Sequence, residues 1–342
     1  MKSFQPFEKK SPFFLLWGFL ILPLVLFFQV ERGLAKDVRR ILLVHSGHED
    51  SPWVKDVTQG VHDALKDSPV LLESFYMDTF RNPSIEWKLK VGRQAQEKIR
   101  EFKPDAVIAV DDDAQKYVTQ QYIGSQNPFF VFCGVNDDLD SYGLPAVNTT
   151  GIVERPHFEE AVAFLKMINP RIKKVAVLSD NSPDSMGAYA FLTHNPPAGI
   201  KVLGYHIIAD FPTWQERVRD YNNYADALFV YLYNTVKLPG TNESLPSRDI
   251  IQWTLNHADI PVVGFFNFAV EDGMMGAVGE SGYDHGMEAG AMALKLVNGV
   301  PLQNLPWKRV EKVYKMLNLP ALQASGMTLS EEQFTGIDWI KK

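Results

Sequence analysis

The feature that most limits the fold of this chain is a regular alternation of short apolar runs with longer segments, each run ending in a polar cluster. The run at 41–44 ends in His45-Ser46-Gly47-His48, and the run at 106–110 ends in Asp111-Asp112-Asp113. Further runs lie at 70–76, 129–132, 175–178, 202–208, 227–233, 262–266 and 276–278. The segments between them are long enough for a helix and two loops, and Trp53, Val57 and Val61 recur at helical spacing. This alternation predicts βαβ units and parallel sheets.

The alternation is interrupted once, and this break suggests two α/β halves. Residues 138–148 contain Gly143, Pro145 and several short polar side chains, after which strands and helices resume. We therefore expect two doubly wound parallel-sheet lobes. In open parallel sheets ligands bind beyond the carboxyl ends of the strands. Two such lobes facing each other would place their polar loops in one cleft, which predicts a ligand clamp that closes about a hinge.

The N-terminus has the pattern of an export segment. Lys2, Lys9 and Lys10 precede an uncharged apolar run at 12–28, and the small-residue pattern Gly33-Leu34-Ala35 follows. This pattern predicts a signal peptide over residues 1–35, cleaved after Ala35. The run is also long enough to serve as an uncleaved membrane anchor. In either case we expect the rest of the chain in the periplasm.

Composition and motifs exclude several classes of function. The net charge is −7, from 34 Lys and Arg against 41 Asp and Glu, without the basic block of a nucleic-acid binder. The single cysteine, Cys133, excludes a disulfide framework and is expected to be a buried structural thiol. No nucleophile elbow, zinc-protease, P-loop or dinucleotide motif is present, so we expect no enzyme and no cofactor.

Two weaker signals in the sequence favour a metal site or an enzyme. His45-x-x-His48 lacks a clear third ligand elsewhere, so we expect no metal site there. Asp111-x-Asp113 faintly resembles the aspartate pair of phosphate-transfer enzymes, but Gln115 stands where that pattern has Thr or Val.

Several stretches, in order along residues 40–330, carry a family resemblance. They are His45-Ser46, residues 77–79, 105–114, 130–136, 148–154, 286–299 and 317–321. With them the chain resembles the extracytoplasmic solute-binding proteins of ABC transporters, within the group that includes tryptophan- and tyrosine-binding proteins of the type I periplasmic-binding fold. It also resembles the sensing domains of some bacterial histidine kinases. Ala146-Val147 departs from the Pro-Gly pair usual in the family, so the local crossover is expected to differ.

The resemblance implies a lobe assignment. Residues 36–140 and 281–305 would form lobe 1, and residues 147–280 and 306–342 would form lobe 2. The chain would cross between the lobes three times, near 138–150, 279–283 and 304–309, and these crossings would form the hinge.

The resemblance also implies a function. We expect a monomeric solute-binding protein that captures a small molecule and presents it to an ABC permease and ATPase in the inner membrane. An amino acid is the first ligand class to consider, with peptides, purines and sugars left open. The alternative is an exported ligand-sensing receptor that acts with a separate signalling partner.

The candidate ligand-binding residues follow the ends of the predicted strands. In Asp111, Asp112 and Asp113, one carboxylate would receive a ligand ammonium while free amides at a helix beginning at Ala114 receive a ligand carboxylate. One N-cap aspartate with two solvated neighbours is the alternative. The other candidates are Ser46, His48, Asn136, Asp137, Glu154, Asp180, Asn181, Asn234, Asn267, Ser281 and Tyr283. The aromatic residues Tyr231, Tyr233, Phe265 and Phe266 end strands and are expected in the core more than against a flat ligand.

Overall fold

The strands form two sheets. A computed structural model of the protein describes residues 38–241, 243–310 and 312–342. In chain order the strands are β1 (Arg39–His45), β2 (Val70–Tyr76), β3 (Ala106–Val110), β4 (Phe129–Val135), β5 (Thr149–Val153), β6 (Lys174–Asp180), β7 (Lys201–Ile208), β8 (Ala227–Val230), β9 (Val262–Gly264), β10 (Gly276–Gly279), β11 (Lys308–Arg309), β12 (Tyr314–Asn318) and β13 (Trp339–Lys341). The predicted export segment at 1–35 lies outside the described residues.

The helices alternate with these strands. They are α1 (Pro52–Leu65), α2 (Ile85–Phe102), α3 (Asp111–Tyr117), α4 (Phe158–Ile168), α5 (Pro183–His194), α6 (Phe211–Tyr221), α7 (Ser247–His257), α8 (Asn267–Glu271), α9 (Gly282–Val297), α10 (Leu319–Ala324) and α11 (Glu331–Thr335). Short 3₁₀ helices lie at Thr119–Tyr122, Leu139–Tyr142 and Leu302–Asn304. Within the described ranges, no helix combines the length and apolar character needed to cross a bilayer.

The first sheet is parallel throughout, with strand order β11-β5-β4-β3-β1-β2. Its inner strands are buried along nearly their whole length, and every residue of β3 is buried. Burial on both faces is what the continuous apolar run at 106–110 predicts for a central parallel strand. The strand order reverses beside β1, so the loops after β1 and β3 meet at the carboxyl edge.

The second sheet has the order β13-β12-β10-β9-β8-β6-β7. Its pairs are parallel except that β12 runs antiparallel to β10. The two α/β halves expected from the sequence are therefore present. The apolar runs at 227–233 and 262–266 pair as strands only to Val230 and Gly264, and the residues beyond them form loops at the sheet edge.

The crossings between the sheets differ in part from the expected ones. Strand β5 pairs with β4 and belongs to the first sheet, so the first crossing lies at 154–157 and not at 138–150. The expectation failed because the Gly- and Pro-containing segment before β5 resembles a linker, whereas it forms a turn within one sheet. The second crossing follows β10 at 280–281, and the third lies between β11 and β12.

Helix α9 returns to the first sheet and packs closely on α1, as the resemblance implies. It also contacts β3, β4 and β5. A methyl group at Gly286 would lie 2.1 Å from the carbonyl oxygen of Val57, so only glycine permits this backbone approach. The small residues of α9 are therefore explained by helix packing.

Candidate ligand-binding site

The carboxyl ends of both sheets face one cavity. From the first sheet it is lined by Trp53, Phe80, Asp111, Asn136 and Glu154. From the second sheet come the polar residues Asp180, Ser182, Asp184, Asn234 and Thr235 and the apolar residues Leu232, Phe266 and Phe268. About 410 Å³ of space free of protein atoms lies within and around the cavity, including space that is open to solvent.

The cavity is a narrow slot because the two sheets lie close together. Only about 30 Å³ of it can be reached by the centre of a water molecule. Helix α5 approaches the segment after β4 so closely that a methyl group at Gly187 would lie 2.5 Å from the carbonyl carbon of Asn136. A wider groove, in which about 680 Å³ can be reached in the same way, adjoins the slot and shares Phe80, Asn234 and Phe268 with it. We take this groove as the entrance to the slot.

Asp111 is the slot residue with the clearest unmet hydrogen-bonding capacity. Its Oδ1 accepts a hydrogen bond of 2.8 Å from Trp53 Nε1, whereas its Oδ2 is buried and has no partner among the described residues. Burial raises the pKa of Asp111 well above its usual value, and the neighbouring Asp112 and Asp113 carboxylates raise it further. Its φ of +65° is a conformation that Asp and Asn tolerate better than most residues. A ligand hydrogen-bond donor would complete this environment.

The two following aspartates have partners within the protein. Asp112 accepts hydrogen bonds from the backbone nitrogens of Asn136 and Asp137 at 2.9 and 3.1 Å and from Tyr142 Oη at 2.7 Å. Asp113 forms an ion pair of 2.8 Å with Lys88. Helix α3 begins at Asp111 and not at Ala114, so these residues form its first turn.

Ser46 contributes to the position of the Asp111 loop. Its buried hydroxyl donates to Val110 O at 2.7 Å and accepts from Ala114 N at 2.9 Å. This serine therefore joins β1 to the start of α3, so the N-cap contact expected from an aspartate comes from Ser46. It does not line the slot.

Asp112 also meets a carboxyl group of the second sheet. The Asp112 and Asp184 carboxyl groups are close enough to influence each other, and burial raises the pKa of both groups. Two carboxyl groups in such contact are not both ionised near neutral pH, because their charges repel each other in a buried setting. A proton on one of the two groups would remove this repulsion.

Asp180 is held entirely by its own neighbours. Its Oδ1 accepts from Ser182 N, Ser182 Oγ and Ser185 Oγ at 3.2, 2.7 and 2.7 Å, and its Oδ2 accepts from Thr235 N at 2.9 Å. The carboxylate fixes the loops after β6 and β8, so we assign it a structural role at the wall of the slot.

Thr235 and Asn234 supply the free donors of this wall. The Thr235 hydroxyl is buried and has no hydrogen-bond partner among the described residues. The Asn234 side-chain oxygen accepts a hydrogen bond of 2.9 Å from Ser247 Oγ. Its amide group is thereby oriented at the junction of the slot and the entrance groove.

Glu154 and Glu280 lie on the segments that cross between the sheets. Burial raises the pKa of Glu154 well above its usual value, and the nearby Glu280 raises it further. Burial also acts to raise the pKa of Glu280, but hydrogen bonds from His157 at 2.8 Å and His285 at 2.5 Å outweigh it and lower that pKa. The His157–Glu280 contact joins the first crossing to the second.

The remaining candidates lie outside the slot. His48 lines the entrance groove. Asn267 donates to Asp56 at 2.7 Å, Tyr283 donates to Asp63 at 3.0 Å and is 36% exposed, and Ser281 caps α9. Asn181 is exposed, and Asp137 is half-buried beside Asp112. These residues lie near strand ends, as the sequence pattern predicts, but they do not line the slot.

Several slot residues were not among the candidates. They are Trp53, Phe80, Ser182, Asp184, Leu232, Thr235 and Phe268, and Phe266 had been considered a core residue. Ser182-Pro183-Asp184 is a recognisable helix start directly after a strand, so this signal could have identified two of them. Trp53 faces the slot from the first turn of α1, where its helical spacing suggested only a core residue.

The side chains present do not suggest a resident metal. Among the described residues, no group of three His, Cys, Asp or Glu side chains is placed to hold a metal ion. Cys133 is buried within β4, and burial raises the pKa of its thiol well above the usual value.

Comparison with solved structures shows the same fold. A conserved domain protein from Vibrio cholerae is 18% identical with a TM-score of 0.70, over 89% of this chain and 100% of that one. An ABC domain in complex with L-Trp from Streptococcus pneumonia is 15% identical with a TM-score of 0.69, over 89% and 99%. A ligand-free, open substrate-binding protein with adhesive properties from Clostridium difficile is 17% identical with a TM-score of 0.63, over 89% and 100%.

Comparison of the sequence identifies the family. No protein with a curated description matches this chain. The family model described as ABC transporter substrate binding protein matches residues 50–335, which is most of the chain. This match agrees with the type I periplasmic-binding fold and with a slot between two sheets. The chain belongs to the ABC transporter substrate binding protein family.

Proposed function

We propose that this protein is the extracytoplasmic binding component of an ABC-type uptake system. It would capture a small molecule in the slot between the sheets and present the closed form to a permease and ATPase. The crossing segments would act as the hinge. Membership of a transporter family supports transport over the alternative of a sensing receptor.

The observation that carries this proposal is the buried Oδ2 of Asp111. An unpartnered carboxylate oxygen inside a protein is costly unless a donor meets it. The Thr235 hydroxyl on the other wall is likewise buried and unpartnered. Two such groups on opposite walls fit a small molecule that bridges them, with an ammonium group at Asp111. Amines and amino acids, which both carry an ammonium group, are therefore the first classes to test, and a solved relative in fold is an ABC domain in complex with L-Trp.

A thermal-shift screen of the purified protein across metabolites tests the proposal. A ligand present at about 100 times its dissociation constant adds about 2.7 kcal/mol to the stability. Asp111→Asn should abolish most of that shift, and Asn is tolerated at the positive φ. The matched control is Asp67→Asn, on an exposed turn after α1. Absence of any ligand-induced shift, or an equal shift in Asp111→Asn, would refute the proposal.

A further inference from the structure

We infer that the ligand of this slot is an organic cation without a carboxylate next to its ammonium group, of the arylalkylamine class. The inference rests on the proposed function, because it takes the slot as the ligand site. It is based on the carboxyl groups and the aromatic rings that line the slot.

The lining of the slot is acidic on both walls. It includes the carboxyl groups of Asp111 and Glu154 from one side and of Asp180 and Asp184 from the other. Among the described lining residues there is no Lys, Arg or His. Burial raises the pKa of Asp111, Glu154 and Asp184, so a cation that enters the slot would stabilise the ionised form of these groups, whereas a ligand anion would meet no basic side chain of the lining.

Arg81 and Arg248 line the adjoining groove and not the slot, and two other basic side chains, those of Lys88 and Arg155, already have partners. Lys88 pairs with Asp113 behind the slot. The Arg155 guanidinium donates to the backbone carbonyls of Val135, Asn136 and Glu154 at 3.0, 3.2 and 2.7 Å. Neither side chain is therefore available to bind a ligand carboxylate.

The acidic groups differ in how many hydrogen bonds they already form within the protein. Asp180 accepts four hydrogen bonds, and Asp184 lies close to Asp112. Asp111 has one hydrogen bond, from Trp53, and an oxygen with none. An ammonium group at this oxygen would form a charge-assisted hydrogen bond, which is stronger than one between neutral groups.

A free amino acid fits this arrangement poorly. Its carboxylate is attached to the same carbon as its ammonium group, so the carboxylate would also lie near Asp111. The uncommitted donor groups facing the slot are the neutral Thr235 hydroxyl and Asn234 amide. These do not offset repulsion by the acidic lining as an arginine or lysine would.

The apolar part of the lining suits a flat ring. Trp53 and Phe266 contact edge to face at 5.8 Å between ring centroids, and Phe266 stacks on Phe268 at 5.0 Å. Phe80 lies on the first-sheet side of the same slot. Ring faces of this kind bind both an aromatic group and a neighbouring cation. An ammonium group joined by a short chain to an aromatic ring matches both parts of the lining.

Calorimetric titration of matched pairs tests the inference. The pairs are tryptamine with tryptophan, tyramine with tyrosine and phenethylamine with phenylalanine, which differ only in the carboxylate. We expect the amine of at least one pair to bind at least tenfold more tightly than its amino acid. Asp111→Asn should weaken that amine at least tenfold, whereas Asp67→Asn should bind it like the wild type.

The outcomes separate this inference from the proposed function. If an amino acid binds as tightly as its amine, or if a sugar or nucleoside binds and no amine does, the inference is overturned while the binding function stands. If no compound of any class binds to the folded wild-type protein, the proposed function fails and this inference fails with it. Equal affinity of Asp111→Asn and wild type for the amine would also overturn the inference.

Discussion

The Tyr231 hydroxyl donates a hydrogen bond of 2.5 Å to Oδ1 of Asn136, and this bond joins the loop after β8 to the loop after β4. Both residues are buried, at 1% and 5% exposure. The contact links the second sheet to the first beside the slot. Any movement that widens the slot at this point separates the two atoms, so the bond favours the narrow form.

We expect Tyr231→Phe to favour a more open protein. The change leaves Asn136 Oδ1 buried without its donor, at a cost of about 1–3 kcal/mol. Small-angle scattering of the ligand-free variant should give a larger radius of gyration than the wild type. Tyr233→Phe is the control, because the Tyr233 hydroxyl donates to Asp272, also on the second-sheet side, at 2.8 Å. If both variants scatter alike, Tyr231 does not hold the sheets together.

The Asp112–Asp184 contact predicts a pH dependence. Burial raises the pKa of both carboxyl groups in the folded protein, so the folded state binds more protons than the unfolded chain above the ordinary Asp pKa of 3.8. The contribution of this pair to stability is therefore greatest at low pH and is lost as the pH rises through the raised pKa values. Glu280 acts in the opposite direction, since its pKa is lowered.

Thermal unfolding from about pH 5 to about pH 8 checks this sign. The comparison of wild type with Asp184→Asn isolates the pair from other titrating groups. We expect the Tm of the wild type to fall more with rising pH than the Tm of the variant. Parallel curves for the two proteins would show that the pair does not hold a proton.

Asp180 should be important for stability more than for ligand contact. Asp180→Ala removes an acceptor from four donors and should destabilise the protein by about 3 kcal/mol. Asn181→Ala, at the exposed neighbouring position, should change stability by no more than about 0.5 kcal/mol. Urea unfolding of both variants measures the difference. A near-neutral effect of Asp180→Ala would argue against the structural role.

Gly187→Ala should introduce a steric clash that disfavours the close approach of the two sheets. Its new methyl group would meet the backbone of Asn136 at 2.5 Å, and such overpacking costs about 1–3 kcal/mol. This clash occurs only when the two sheets are close together, so it destabilises the closed form that binds the ligand. Ligand affinity should therefore fall about tenfold. Gly336→Ala is the control, since its nearest neighbour would lie at 3.6 Å. Calorimetry with any ligand identified by the screen provides the measurement, and equal affinity of the two variants would contradict the expectation.

The amino-acid sequence by itself determined the α/β class, the two halves and the edge where polar side chains collect. Continuous apolar runs such as 106–110 indicate a strand that is buried on both faces of its sheet. A residue that follows a strand must lie at the edge of that sheet. These are local properties of the chain, and the structure agrees with them at Asp111, Asn136, Asp180 and Asn234.

Only the tertiary structure decided which of these side chains remain available to a ligand. Asp111 follows β3 and Asp180 ends β6, yet Asp180 is enclosed by donors from two loops while one oxygen of Asp111 has none. The partner of Asp111, Trp53, lies 58 residues away along the chain. The placement of β5 in the first sheet was likewise settled by pairing with β4 and β11. Hydrogen bonds and strand pairs between distant segments depend on how the whole chain packs, and no local sequence pattern records them.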